Sequence, residues 1–230
     1  MERNADATLE HPKVELGRVL YKDERIEISF ATYDDIDDLY KVINWAYRGK
    51  PNSASELYSG WVAEQHLLSG TRIRSCELKD YIDKMKEENP PKIVILVAKH
   101  VSNSQEQKIV VGSFKVELYD RNLQTEEEKQ DGIAVEFGLN SVDPDYQGQR
   151  IGTLMWETAV RVAKEYFNAK RIYGHIFHSK TNLIDWKIKQ GYQNTGRLIP
   201  FVIDEQHKSF YIPKVDIEQL KFAVLTKRLE

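Results

Sequence analysis

The sequence has one cysteine, Cys76, which excludes an internal disulfide and a multi-cysteine metal cage. It lacks any run of about 18 apolar residues, so no segment reads as a membrane-spanning helix. Neither sign of charge dominates: 33 Lys+Arg face 36 Asp+Glu. No global field exists to grip a phosphate backbone, and nucleic acid is not an expected partner. The histidines show no H-x-x-x-H pair, so no metal is expected. The opening MERNADATLEHPK has no apolar core of the kind a secretory leader carries. Repeats and low-complexity tracts are missing too. What is present is a 41% hydrophobic chain of 230 residues, long enough to bury a sizeable core. These features predict a water-soluble, cytoplasmic protein. Residues 24–230 read as a single domain behind a charged, weakly patterned extension over 1–23.

Ile26–Phe30 alternates apolar and polar residues and reads as a strand. Ile36, Leu39, Tyr40, Ile43 and Ala46 recur at helical spacing behind Asp34 and Asp35, and Gly49 and Pro51 break that helix. Further helices are predicted over Glu56–Leu68 and Ser75–Glu88, the latter stopped by Pro90-Pro91. Strands follow at Lys92–Lys99, Lys108–Tyr119 and Ile133–Val142, with Asp120–Asp131 read as a solvated hairpin loop. Ile151–Phe167 carries the clearest buried stripe, through Ile151, Leu154, Met155, Ala159 and Val162. Arg171–Phe177 reads as strand, Asn182–Gln190 as helix, and Gly191–Ile203 and Leu220–Lys227 as strands. This order predicts an α/β fold with a βαβ crossover in its second half.

The informative stretch is EFGLNSVDPDYQGQRIGTLMWE, Glu136 to Glu157. A strand ends at Val142-Asp143-Pro144, and Gly148 and Gly152 flank the start of a helix. The first turn of a helix has amides with no internal partner and a partial positive charge, which together suit an anion. Gly148 lets the backbone approach a phosphate, Gly152 permits close packing, and Gln149 and Arg150 add donors. An ordinary helix start would look much the same. No G-x-x-x-x-G-K-[ST] is present, nor a G-x-G-x-x-G after the first strand.

These residues resemble motif A of the GCN5-related N-acetyltransferase (GNAT) superfamily. There V-x-P precedes Q/R-x-x-G-x-G/A; here Val142-Asp143-Pro144 precedes Gln147 to Gly152. A later strand and a helix ending in Gly191-Tyr192 also match, and the likeness spans roughly residues 24–230. The segment GWVAEQHLLSGTRI, residues 60–73, looks like a feature of one poorly characterised branch. The resemblance implies a mixed, mostly antiparallel twisted sheet flanked by helices, with acetyl-CoA as co-substrate on the βαβ core. The pantetheine arm is expected along Leu139, Asn140, Ser141 and Val142, and the pyrophosphate over Gln147, Gly148, Gln149, Arg150, Ile151, Gly152 and Thr153. Asn182 lies close to, but out of register with, an asparagine common in the family, whose position holds Lys180. Arg150 stands where the motif has its first glycine, and Lys187 where many members have a tyrosine that protonates the departing thiolate.

An attacking alkyl amine has a pKa near 10.4 and must first lose a proton. Glu136 shares a strand face with Gly138 and Asn140. A carboxylate inside an apolar strand needs partners or a job. Glu136 is read as the general base, with a structural ion pair as the alternative. Backbone near Val142 is expected to donate to the developing oxyanion. Lys187 is the candidate to hold the thiolate, against a plain solvated helix residue. Tyr173, Tyr192 and His175 read mainly as core, and Glu64 and His66 as residues of an acceptor pocket. Trp45, Trp61, Trp156, Trp186 and Cys76 receive no chemistry. The expected reaction moves an acetyl group to a primary amine of a small molecule or peptide. The alternative is a catalytically weak acyl-CoA sensor, and edge-strand pairing is a route to a homodimer.

Overall fold

The computed structural model describes residues 13–230, apart from 24, 52–61, 102–107, 204–206 and 209. The apolar runs become strands β1 (Val19–Lys22), β2 (Ile26–Phe30), β3 (Leu68–Ser69), β4 (Ile93–Val101) and β5 (Lys108–Leu118). They continue as β6 (Ala134–Val142), β7 (Arg171–Phe177), β8 (Gln193–Pro200), β9 (Ile212–Pro213) and β10 (Lys221–Arg228). The helices are α1 (Ile36–Arg48), α2 (Ser75–Glu87), α3 (Glu126–Gln130), α4 (Ile151–Glu165) and α5 (Thr181–Lys189).

Eight strands form one sheet in the order β1-β2-β4-β5-β6-β7-β10-β8. Every neighbouring pair is antiparallel except β6–β7, the pair that helix α4 connects. β4 is the centre of the core, with Ile93 to Ala98 all buried. The stripe predicted for α4 is buried at Ile151, Met155, Ala159 and Val162 and packs on β5. Helix α1 lies against β5 and β6, and α2 against β4. Among the described residues no helix is long and apolar enough to cross a membrane.

Four local expectations change. The sheet begins at Val19, inside the stretch read as an extension, because β1 pairs with β2. Of the helix expected over Glu56–Leu68, residues 56–61 lie outside the described residues. The remainder is turn running into β3, because Leu68 and Ser69 pair with Pro213 and Ile212 far along the chain. The segment Asp120–Asp131 is more than a hairpin loop, since it contains α3. There the Thr125 hydroxyl accepts from the Glu128 amide, and the Glu128 carboxylate accepts from the Thr125 amide, which is a capping box. The strand expected over Gly191–Ile203 is confined to Gln193–Pro200.

Candidate active site

Strands β6 and β7 run together for three residue pairs only, the last being Glu136 with Tyr173. Beyond that point β6 stays with β5 and β7 with β10. The parallel pair opens into a V with Glu136 at its vertex. A bulge accompanies the opening: Ser113 pairs with Ser141 but Lys115 with Gly138, so β6 carries one extra residue. Leu139 takes a left-handed φ of 46° there. Its carbonyl accepts from the buried hydroxyls of Ser113 at 3.1 Å and Ser141 at 3.3 Å. These bonds satisfy a group that would otherwise cost about 1–3 kcal/mol when buried.

A cavity of about 360 Å³ fills the V. Gly138, Asn140 and Val142 line it from β6, and Gly174 and Ile176 from β7. At its far end the chain turns through Pro144–Tyr146 into α4. Asp143 shapes that turn by accepting from the Asp145 amide at 3.0 Å, and Lys50 pairs with both carboxylates. The Gln147 side-chain amide donates to the Val142 carbonyl at 3.2 Å. Gly148 follows at φ 77°. The first α4 hydrogen bond runs from the Leu154 amide to the Arg150 carbonyl, so the amides of Ile151, Gly152 and Thr153 have no acceptor within the helix. Among the described residues no carboxylate lines the cavity, whereas Arg150 and Lys187 do. A chain of phosphates ending in a thioester fits such a wall.

Arg150 is exposed and holds φ 64°, a conformation that costs a residue with a side chain roughly 1–2 kcal/mol. Arg150→Gly removes that strain against a glycine entropy cost of about 0.5–1 kcal/mol. The unfolding midpoint should stay level or rise by about 1–3 °C. Coenzyme A affinity should fall by roughly 3–10-fold if the guanidinium pairs with a phosphate. Thermal unfolding and direct titration check the two effects separately.

At the vertex, His175 Nδ1 lies 2.9 Å from Glu136 Oε1, and His175 Nε2 lies 3.3 Å from the Tyr119 hydroxyl. On β5, the strand beside β6, Lys115 pairs with Glu117, its stem lying over Gly138, where an added Cβ would meet Cε at 3.0 Å. Burial pushes the Glu136 carboxyl up, but the His175 hydrogen bond and the charges of Lys115 and Arg72 outweigh it. The group sits below the ordinary carboxylate range. Burial and the Glu136 charge push the Tyr119 phenol up.

Lys187 is not a solvated helix residue. Its ammonium lies 4.9 Å from the Trp186 ring centre and 5.1 Å from that of Tyr192. Burial, and then the charge of Lys227, pull it down to about 8. Tyr192 accepts a hydrogen bond from the Trp156 indole at 3.4 Å, and burial pushes its phenol up to about 12.

The structure gathers Asn140, Val142, Gln147, Gly148, Arg150, Ile151, Gly152, Thr153 and Lys187 around one cavity. It separates four other expected cofactor residues. Leu139 and Ser141 are buried outside the lining, because alternate residues of β6 face opposite sides. Gln149 borders a second cavity with Arg25 and His100, and Asn182 is exposed at the start of α5. The bulge falls at Leu139–Asn140, whereas Val142 pairs with Gly112, so the irregularity in the ladder lies earlier than expected. Glu64 is committed to Arg48 at 2.8 Å and His66 is exposed. Lys180 donates to the Ala63 carbonyl. Tyr173 is fully buried, stacked on Tyr119.

Sequence reasoning did not find the bond between His175 and Glu136, nor Lys115, Tyr119 and Tyr47 around the site. Gly174, inside a strand, was a usable signal, since such a glycine often marks close approach of a ligand.

A family model described as Acetyltransferase (GNAT) family matches residues 69–192. No curated protein sequence matches the chain. Among solved structures, a ribosomal-protein-alanine N-acetyltransferase from Brucella melitensis superposes with a TM-score of 0.54 at 16% identity, covering 88% of this chain and 99% of that one. An N-acetyltransferase from Staphylococcus aureus Mu50 gives 0.55 at 11% identity, covering 88% and 97%. A spermidine/spermine N-acetyltransferase from Vibrio cholerae gives 0.55 at 12%, covering 90% and 95%. At these identities the likeness is one of fold.

Proposed function

Because the chain belongs to the GNAT acetyltransferase family and is an acetyl-CoA-dependent acyltransferase, we propose that it acetylates a primary amine of a small molecule or peptide by direct attack. The observation that carries this reading is Glu136 at the vertex of the V, bonded to His175 and beside a cavity whose wall suits coenzyme A. Two of the fold relatives named above are a spermidine/spermine N-acetyltransferase and a ribosomal-protein-alanine N-acetyltransferase, which supports an amine acceptor.

Acetyl-CoA, when bound, supplies the activated acetyl group. Ile151, Gly152 and Thr153 present their amides to its phosphates, with Gly148 allowing close approach and Arg150 adding charge. Glu136 receives the incoming ammonium and takes its proton, alone or through water, and His175 steadies the carboxylate. The bulge at Leu139–Asn140 supports a backbone amide there as the donor to developing negative charge on the acetyl oxygen. Lys187 protonates the departing thiolate. Its pKa of about 8 is close to the roughly 8.5 of an alkyl thiol. Tyr192, at about 12, is a much weaker acid.

The test is thermal unfolding with and without acetyl-CoA, followed by an amine screen for released thiol. At 100 times Kd, specific binding adds about 2.7 kcal/mol, or roughly 5–11 °C in midpoint for a chain of this size. The rate should fall as pH rises through about 8, where Lys187 loses its proton, and Lys187→Arg should move that limb upward. No thermal shift at saturation sinks the reading.

A further inference from the structure

We propose that Lys187 is a self-acetylation site: when no acceptor amine is bound, its own ε-amine takes the acetyl group from acetyl-CoA. This rests on the acetyl-transfer reading above. The side chain lines the same cavity as Asn140 and Val142 on β6 and Gly174 on β7. The thioester therefore has two candidate nucleophiles, one from the Glu136 vertex and one from α5.

What distinguishes Lys187 is that no anion among the described residues pairs with it. Lys50 is pinned by Asp143 and Asp145, Lys115 by Glu117 and Lys108 by Glu27. Among the described residues the cavity wall around Lys187 carries no carboxylate. From its own end of the chain it meets the faces of Trp186 and Tyr192. From β10 comes the like charge of Lys227, itself donating to the Gln190 carbonyl at 2.7 Å. The other titratable side chains among the described residues on the wall are Tyr47, Tyr146 and Arg150, none of them a carboxylate. A lysine in that setting is about half neutral near pH 8. Lys180 is the natural control: burial also lowers it, but it is not on the cavity wall.

In the step, neutral Lys187 Nζ forms a bond to the acetyl carbonyl carbon and the carbon–sulfur bond breaks. The electron pair leaves on sulfur as coenzyme A thiolate. One proton departs from nitrogen, giving a neutral amide. The product has lost the cation proposed to protonate the thiolate, so the modification would switch the enzyme off when acceptor is scarce.

The experiment incubates the full chain with acetyl-CoA and no amine, and follows intact mass and peptide masses with time. One added acetyl group should map to Lys187, at least about tenfold faster than to any exposed lysine, because far more of it is neutral. Its rate should rise with pH to a plateau above about 8. Lys187→Arg should lose that increment while keeping the acetyl-CoA thermal shift. A thermal shift with no acetyl on Lys187, or equal labelling of surface lysines and Lys180, overturns this inference alone. No thermal shift overturns it together with the proposed function.

Discussion

Glu136→Gln is expected to lower kcat by about 10²–10⁴, the usual worth of a general base, while leaving acetyl-CoA affinity within about twofold. The substitution keeps the side chain's shape and its acceptor oxygen, so the 2.9 Å contact with His175 Nδ1 can persist. It removes the charge proposed to draw the ammonium and the site proposed to accept its proton. Glu136 lies at the vertex and outside the cavity lining, which is why the cofactor should not notice. Single-turnover acetylation and an acetyl-CoA titration on the same preparation separate the two effects. Because its carboxyl sits below the ordinary range, Glu136 is ionised throughout neutral pH. Its loss should therefore lower the rate across that range without shifting a limb. Unchanged turnover would remove Glu136 from the mechanism. A wild-type protein that binds acetyl-CoA tightly but turns over no amine would be the acyl-CoA sensor instead.

Gly148→Glu should abolish the acetyl-CoA thermal shift. Gly148 holds φ 77° where the chain enters the α4 turn, and nothing lies within 4 Å of a Cβ built there. Space is therefore not the obstacle. A left-handed conformation costs any side chain about 1–2 kcal/mol, which lowers the unliganded midpoint by roughly 2–8 °C. The larger effect is electrostatic, since glutamate places an anion against the helix end meant for phosphates. The expected shift of roughly 5–11 °C at 100 times the wild-type Kd should shrink below about 1 °C. Gly148→Ala carries the same strain without charge and should keep most of the shift. Equal shifts in wild type and Gly148→Glu would place the phosphates elsewhere.

Much of the frame was legible in the residues because it is local. The period of Ile151, Met155, Ala159 and Val162 makes α4, and alternation along β6 puts Glu136, Gly138 and Asn140 on one face. Gly148 and the free amides behind it are also local facts. The capping box Thr125–Glu128 was equally readable, and the acidic composition of its segment obscured it. Helical spacing misled over the described residues 62–68, because pairing of Leu68 with Pro213 outweighs a weak local period.

The sequence by itself determined the main strands and helices from α2 onward, the glycine turn into α4 and the face of β6 that carries Glu136. Tertiary structure alone decided where β6 and β7 part, since a bulge depends on a partner strand, here β5. It also decided what the candidate base and acid meet. His175 reaches Glu136 across a parallel join, and Lys187 meets Trp186, Tyr192 and the charge of Lys227. Periodicity is carried by covalent neighbours, but a group's proton affinity depends on the solvent and charges around it. Those are supplied by residues distant in sequence.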